Sequence, residues 1–195
     1  MKLGEVADIS SGIIVQRLQA RPSDKVVAFY PLLSLKNFSI NGICREDQDI
    51  IRCMRELSDD ELTREGNVVL RSTAPFGALY IDSDATGIIV PHFFFLITPG
   101  RIDGKFLAAW LNSIGTKLLL EKQCEGSALK TIKRRQLIEL ELPALNRAEQ
   151  DKYAEIDSLA RKERHLQITL SVLRFRLAQQ ALAHMTETTH KGGNI

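Results

Sequence analysis

The sequence predicts an α+β protein, with one mixed α/β domain followed by a long C-terminal helix of coiled-coil character. Three observations carry that expectation. Short apolar runs punctuated by Gly, Pro and Asp fill the first hundred residues, which is a β-rich rhythm. Helical spacing of apolar residues begins after Asp103. From Asn146 to Met185 there is neither Gly nor Pro.

Each element follows from its residues. Val6–Gly12 reads as a short strand entering a Ser-Ser-Gly turn, and Lys25–Leu35 is rich in β-formers with Pro31 marking an edge or bulge. Asn41-Gly42 is a turn signal, and Ser58–Asn67 reads as one short helix and a turn. Four apolar runs come next: VVLRS from Val68, ALYID from Ala78, GIIV from Gly87 and HFFFLIT from His92. Asp103 can cap a helix carrying Phe106, Leu107, Trp110, Leu111 and Ile114, and a second helical piece spans Thr116–Gln123. The alternation Ile138, Glu139, Leu140, Glu141, Leu142 predicts a closing strand with both Glu facing solvent, just before Pro143.

Asn146 and Glu149 are spaced as a capping box at the start of the long helix. Its heptad places Ile156, Glu163, Leu170 and Leu177 at a, and Leu159, Leu166, Leu173 and Gln180 at d. Such a helix would reach roughly 55–60 Å, longer than a small domain is wide. Ile168, Val172, Phe175 and Leu182 form a second apolar stripe, which either meets a partner or packs on the chain's own domain. Glu149, Asp151, Glu155 and Asp157 lie in the first half, and Arg161, Lys162, Arg164, Arg174 and Arg176 in the second. The helix dipole favours that order, and an antiparallel copy would also set acidic half against basic half. The expected division is a domain over 1–145, the helix over 146–185 and a flexible tail over 186–195.

Bulk composition narrows the class without choosing the function. With 44% hydrophobic and 26% charged residues, the chain is a globular type rather than a disordered one. A formal charge of +2 does not announce a nucleic-acid binder, so any such reading rests on local patches. Three cysteines without CxxC spacing, no signal-peptide core and no bilayer-length apolar run lead us to expect a reduced, cytoplasmic, non-membrane protein. There is no glycine-rich nucleotide loop and no HExxH. His92, His165, His184 and His190 are scattered, and Asp82 and Asp84 fit a turn more simply than a metal site. No catalytic residue and no metal ligand set is expected.

The order of segments resembles the DNA specificity (S) subunits of type I restriction–modification systems. KLGEVADISSG looks like that family's opening strand, and YPLLSLKNFSINGIC like its extended segment ending in a polar turn. REGNVVLRSTAPFGALYI resembles its Gly-Asp-hydrophobic-Leu hairpin, with Asn67 where Asp is usual. DGKFLAAWLNS and GSALKTIKRRQLIELELPAL resemble its helix, Gly-Ser loop and strand before a Pro-containing junction. NRAEQDKYAEIDSLARKERHLQ looks like the start of its spacer helix. The resemblance covers about residues 1–180 but only half a typical S subunit, with one target-recognition domain and one spacer helix.

The resemblance implies a non-catalytic subunit that recognises double-stranded DNA. A homodimer through antiparallel helices would rebuild the two-domain form, with Ile156, Leu159, Leu166, Leu170, Leu173 and Leu177 in the seam. It also implies a DNA methyltransferase (modification) subunit, docked on the Ile168, Val172, Phe175 and Leu182 stripe, and a restriction/translocase subunit. S-adenosylmethionine, ATP and Mg are expected on those partners and no cofactor on this chain. Lys130, Lys133, Arg134 and Arg135 are the candidate phosphate contacts, with Ser127 and Thr131 adding neutral hydrogen bonds. Gln16, Arg17, Lys36, Asn37 and Arg71 are candidate base readers near turns. The cluster at 130–135 is expected to grip DNA next to the start of the spacer helix. A coiled-coil protein-interaction adaptor without DNA specificity is the competing class, and a fragment of a fused methyltransferase or nuclease is a third.

Overall fold

Strands alternate side chains between two faces, and here both faces of the main sheet are covered. The computed structural model describes residues 1–46, 48–124 and 130–191, with side chains up to residue 183. The chain divides into two units, Met1–Ala154 and Glu155–Ile195. In the first, β1 (Ala7–Ser11), β8 (Phe94–Pro99), β6 (Val68–Arg71) and β7 (Ala78–Tyr80) form a sheet in that order. Every pairing in it is antiparallel.

Register explains why the runs at 68 and 94 are continuously apolar. Val68 lies opposite Ile97 and Leu70 opposite Phe95. These four point into a core shared with α1 (Gly104–Asn112) and α2 (Ile114–Gln123), through Phe106, Leu107, Leu111 and Leu120. Val69, Phe94 and Leu96 enter a second core with Leu33, Ile88 and Val90. A sheet buried on both faces has no polar side to alternate with.

A smaller lobe completes the second layer. β2 (Ala28–Pro31) pairs with β5 (Ile50–Cys53), with Pro31 at the end of its strand, and β3 (Phe38–Ser39) pairs with β4 (Gly42–Ile43). Gly42 holds φ +147°, which the expected Asn-Gly turn requires. The GIIV run forms no strand of its own. Ile89 instead makes isolated bridges to Leu32 and Leu62, stitching the lobe to the sheet.

The helices begin where their caps dictate. Asp103 Oδ1 accepts the Phe106 N–H at 2.8 Å, and Ser113 Oγ accepts the Thr116 N–H at 3.2 Å. At the end of α1 the Asn112 amide closes on Ala78 of the edge strand β7, through bonds of 3.0 and 2.6 Å. This covers an open edge.

The expected strand at 137–142 is absent. Residues Arg134–Ile138 form a short helix, α3, whose start is fixed by the Gln136 side chain accepting the Lys133 N–H at 2.8 Å. Leu137 and Leu140, one helical turn apart, both enter the first core, and Glu141 makes only an isolated bridge to Lys2. Leu142 joins them in that core while Glu139 and Glu141 stay exposed, so the alternation persists in burial over 139–142 although no strand forms.

α4 spans Arg147–Lys191, 45 residues or about 68 Å of helix, so it continues past the expected tail boundary at 186. Its start has the expected reciprocal cap: Asn146 Oδ1 accepts the Glu149 N–H at 3.1 Å, and Glu149 Oε2 accepts the Asn146 N–H at 2.8 Å. Within the second unit, Ile156, Leu159, Leu166, Leu170, Leu173 and Leu177 are all exposed, as are Ile168, Val172, Phe175 and Leu182.

Candidate nucleic-acid interface

Antiparallel pairing brings the exits of β1 and β6 beside the entry of β8. Ser11 lies opposite Phe95, and Arg71 opposite Phe94. Loops flanking these positions therefore meet at one end of the sheet. Gly12 N–H donates to Phe94 O at 2.9 Å and His92 N–H to Ile13 O at 2.9 Å. A Cβ on Gly12 would lie 2.2 Å from Pro91 O, so only glycine permits this approach. Ser72 N–H donates to Phe93 O at 3.0 Å.

The segment after the Gly-Ser loop is tied to the same place. Ala74 N–H donates to Lys130 O and Ile132 N–H to Ser72 O, both at 2.9 Å, around a bridge between Thr73 and Thr131. Gly77 backs onto Ile40 and Phe38, which brings the β3–β4 hairpin alongside. Five segments thus adjoin: 12–17, 34–43, 71–77, 91–93 and 130–136. They contain Arg17, Lys36, Arg71, Lys130, Lys133, Arg134 and Arg135, seven cations, and no Asp or Glu. In a chain with 26 cationic and 24 acidic side chains these segments carry only cations, with Glu121 of α2 approaching Lys130 at 3.7 Å.

The predicted residues divide according to what the fold already asks of them. Gln16, Arg17, Lys36, Lys133 and Arg135 are exposed, with no side-chain partner among the described residues. Thr131 is exposed on its bridge to Thr73, and Lys130 is exposed with Glu121 3.7 Å away. Arg71 is half-buried, its Nε donating to Thr73 Oγ1 at 3.3 Å and its Nη2 to Ala74 O at 3.4 Å, which orients the guanidinium.

Two candidates have structural duties instead. Asn37 is 1% exposed, with its Oδ1 accepting the Ser34 N–H at 2.8 Å and its Nδ2 donating to Leu32 O at 3.0 Å. It shapes its turn and presents no free edge to a base. Arg134 Nε donates to Ile9 O at 2.5 Å, covering the open edge of β1. Ser127 lies outside the described residues. Thr73, His92 and Phe93, which the sequence reading did not assign to this surface, also lie at it, Thr73 on its bridge to Thr131 and His92 and Phe93 within the HFFFLIT run.

The helix start is at the other end of the sheet. Asp103 N–H donates to Gln150 Oε1 at 2.9 Å, Gln150 Nε2 donates to Leu145 O at 2.9 Å, and Arg147 pairs with Asp103 at 3.0 Å. Phe106 and Tyr153 pack edge to face, with centroids 5.3 Å apart. These contacts sit beyond the exit of β8, where Gly100 N–H donates to Val6 O at 2.8 Å. The Thr73–Thr131 bridge, beside the entry of β8, and the start of α4, beyond its exit, are therefore separated by the length of β8, about 17–20 Å for its six residues, while Arg134 reaches back to Ile9 in mid-strand. Lys130 and Thr131 are thus near the helix start in sequence but not in space. Sequence proximity misled because α3 and residues 139–142 carry the chain back along the sheet.

Among the described residues no group of three or more His, Cys, Asp or Glu could hold a metal ion, and no helix is long and apolar enough to cross a membrane. Burial pushes the Cys53 and Cys124 thiols up, which makes them poor nucleophiles.

No family model matches the sequence, and no curated protein matches it. Solved structures do match its fold. A chain from a study of complex assembly and conformational transition of the type I R-M system aligns with TM-score 0.53 and 16% identity, covering 84% of this chain and 38% of that one. The HsdS subunit from Thermoanaerobacter tengcongensis aligns with TM-score 0.54 and 18% identity, covering 84% of this chain and 37% of its own. The chain spans less than two-fifths of the length of either. Over most of its own length it thus has a fold shared with a type I HsdS subunit, a mixed α/β domain followed by a long C-terminal helix.

Proposed function

We propose that the chain is a DNA-recognition subunit of a type I restriction–modification complex, reading half of a bipartite target. The observation that carries this reading is the gathering of segments rich in cations and free of Asp and Glu at one end of a sheet, in a domain with the HsdS fold. Cations release condensed counterions when they meet phosphates, and Lys130, Lys133 and Arg135 are exposed to do so. Gln16, Arg17, Lys36 and the oriented Arg71, on adjoining segments, would read base edges.

Two copies would supply the two half-sites. The exposed seam Ile156, Leu159, Leu166, Leu170, Leu173 and Leu177 supports pairing, and the order of charges along α4 favours antiparallel helices. Two-fold symmetry then gives an inverted-repeat target whose gap is set by the helices. The stripe Ile168, Val172, Phe175 and Leu182 is the docking surface for a methyltransferase subunit, and a restriction/translocase subunit completes the complex. S-adenosylmethionine, ATP and Mg belong to those partners, and this chain does no chemistry itself.

Selection from a random duplex library with the full chain tests the reading. Enrichment of a split inverted repeat, with affinity falling steeply in salt, is the expected result. Binding indifferent to both sequence and salt overturns it.

A further inference from the structure

His92 lies between the 12–14 and 71–74 segments of the cationic end. Its backbone is held on both sides: its N–H donates to Ile13 O at 2.9 Å, and the next carbonyl, Phe93 O, accepts from Ser72 N–H at 3.0 Å and Ser72 Oγ at 2.8 Å. The side chain is exposed. Its ring stands edge-on to Phe93, with centroids 5.3 Å apart and an interplanar angle of 74°. Phe93 in turn leans on the fully buried Phe94, with centroids 5.2 Å apart. The imidazole is therefore backed by an aromatic ladder rooted in the core.

Among the described residues neither ring nitrogen has a hydrogen-bond partner. A neutral imidazole offers one donor and one acceptor, a pairing suited to a base edge. The neighbouring segments carry the cations: Arg17 follows the 12–14 loop on one side, and Lys130 and Lys133 flank the 71–74 strip on the other. Long flexible cations reach phosphates, whereas a short ring fixed between them suits a base. Packing against Phe93 has already removed much of the rotamer freedom that binding would otherwise cost.

We propose that His92 is a base-contacting, specificity-determining residue of this surface. The inference rests on the DNA-recognition reading. Its test is the random-duplex selection run in parallel with the full-length wild type, His92→Ala and His92→Gln, with thermal unfolding as the folding check. The wild type should return a motif. In H92A one position of each half-site should lose about 5- to 10-fold of its base preference, with the other positions and the salt slope unchanged. H92Q, which keeps a donor and an acceptor, should shift the preferred base there instead of erasing it. Motifs identical to wild type in both variants overturn the proposal. So does an unchanged motif with a salt slope lower by about one, the mark of a phosphate contact. A wild type that selects no motif overturns the DNA reading and this inference with it, which separates the two failures.

Discussion

Removing Lys130, Lys133 and Arg135 together should change how DNA binding responds to salt more than it changes the fold. The three phosphate candidates Lys130, Lys133 and Arg135 are exposed without a buried or orienting duty. If each neutralises one phosphate, together they contribute about −2.7 to the slope of log K against log salt, or about 40-fold weaker binding at 200 mM than at 50 mM. The K130A/K133A/R135A variant loses that contribution, so its slope should be shallower by about 2.7. Stability should move little, because the side chains are exposed and the Lys130–Glu121 pair is a solvated one of about 0–1 kcal/mol. Fluorescence anisotropy of a labelled duplex across that salt range, with a thermal melt as control, measures both. A variant with a wild-type melt and a wild-type salt slope refutes the placement of the interface.

Three further outcomes follow from particular contacts. Gln150→Leu leaves the Asp103 N–H and the Leu145 carbonyl without their partner in a site 7% exposed, so chemical denaturation should show a loss of about 1–3 kcal/mol. The Arg55 guanidinium bonded to Glu61, at 2.7 Å from Nη1, holds that carboxyl at about 2 against an ordinary 4.5, with further bonds from Ser58. A depressed folded-state value stabilises above the unfolded one, so this contribution is complete above about pH 5 and is lost as pH falls from 4.5 through about 2. Solvent screens this half-exposed pair, and Glu61→Gln should flatten that part of the acid stability profile. Light scattering should give a dimer mass for the wild type and a monomer for Leu170→Asp. Two lost seam leucines at about 1.5–3 kcal/mol each weaken association by roughly two to four orders of magnitude.

The strands, caps and long helix were legible because each rests on local chemistry. Asp103, Asn146 with Glu149, and Asn41-Gly42 act within a few residues of their own positions, and all do what their types suggest. The segment 134–142 was not legible, because its alternation fits a strand while Leu137 and Leu140 fit a helical turn. Only the position of the core chose between them. Lys133 and Gln136 held the missed cue, three residues apart as at a helix start. The interface was half legible. The cations at 130–135 stood out by density, but their joining to 12–17, 71–77 and 91–93 depends on antiparallel register over distant strands. For the same reason Asn37 and Arg134 looked like DNA contacts: burial and an edge carbonyl 125 residues away cannot be read from neighbours.

The most direct test of the central claim, that this chain gives a complex its DNA sequence, is to map methylated adenines in the host genome with and without the gene. The account predicts a split inverted-repeat motif that is methylated in the parent and unmethylated after deletion, and is restored by the wild-type chain but not by K130A/K133A/R135A. A methylation pattern that is the same with and without the gene would contradict it.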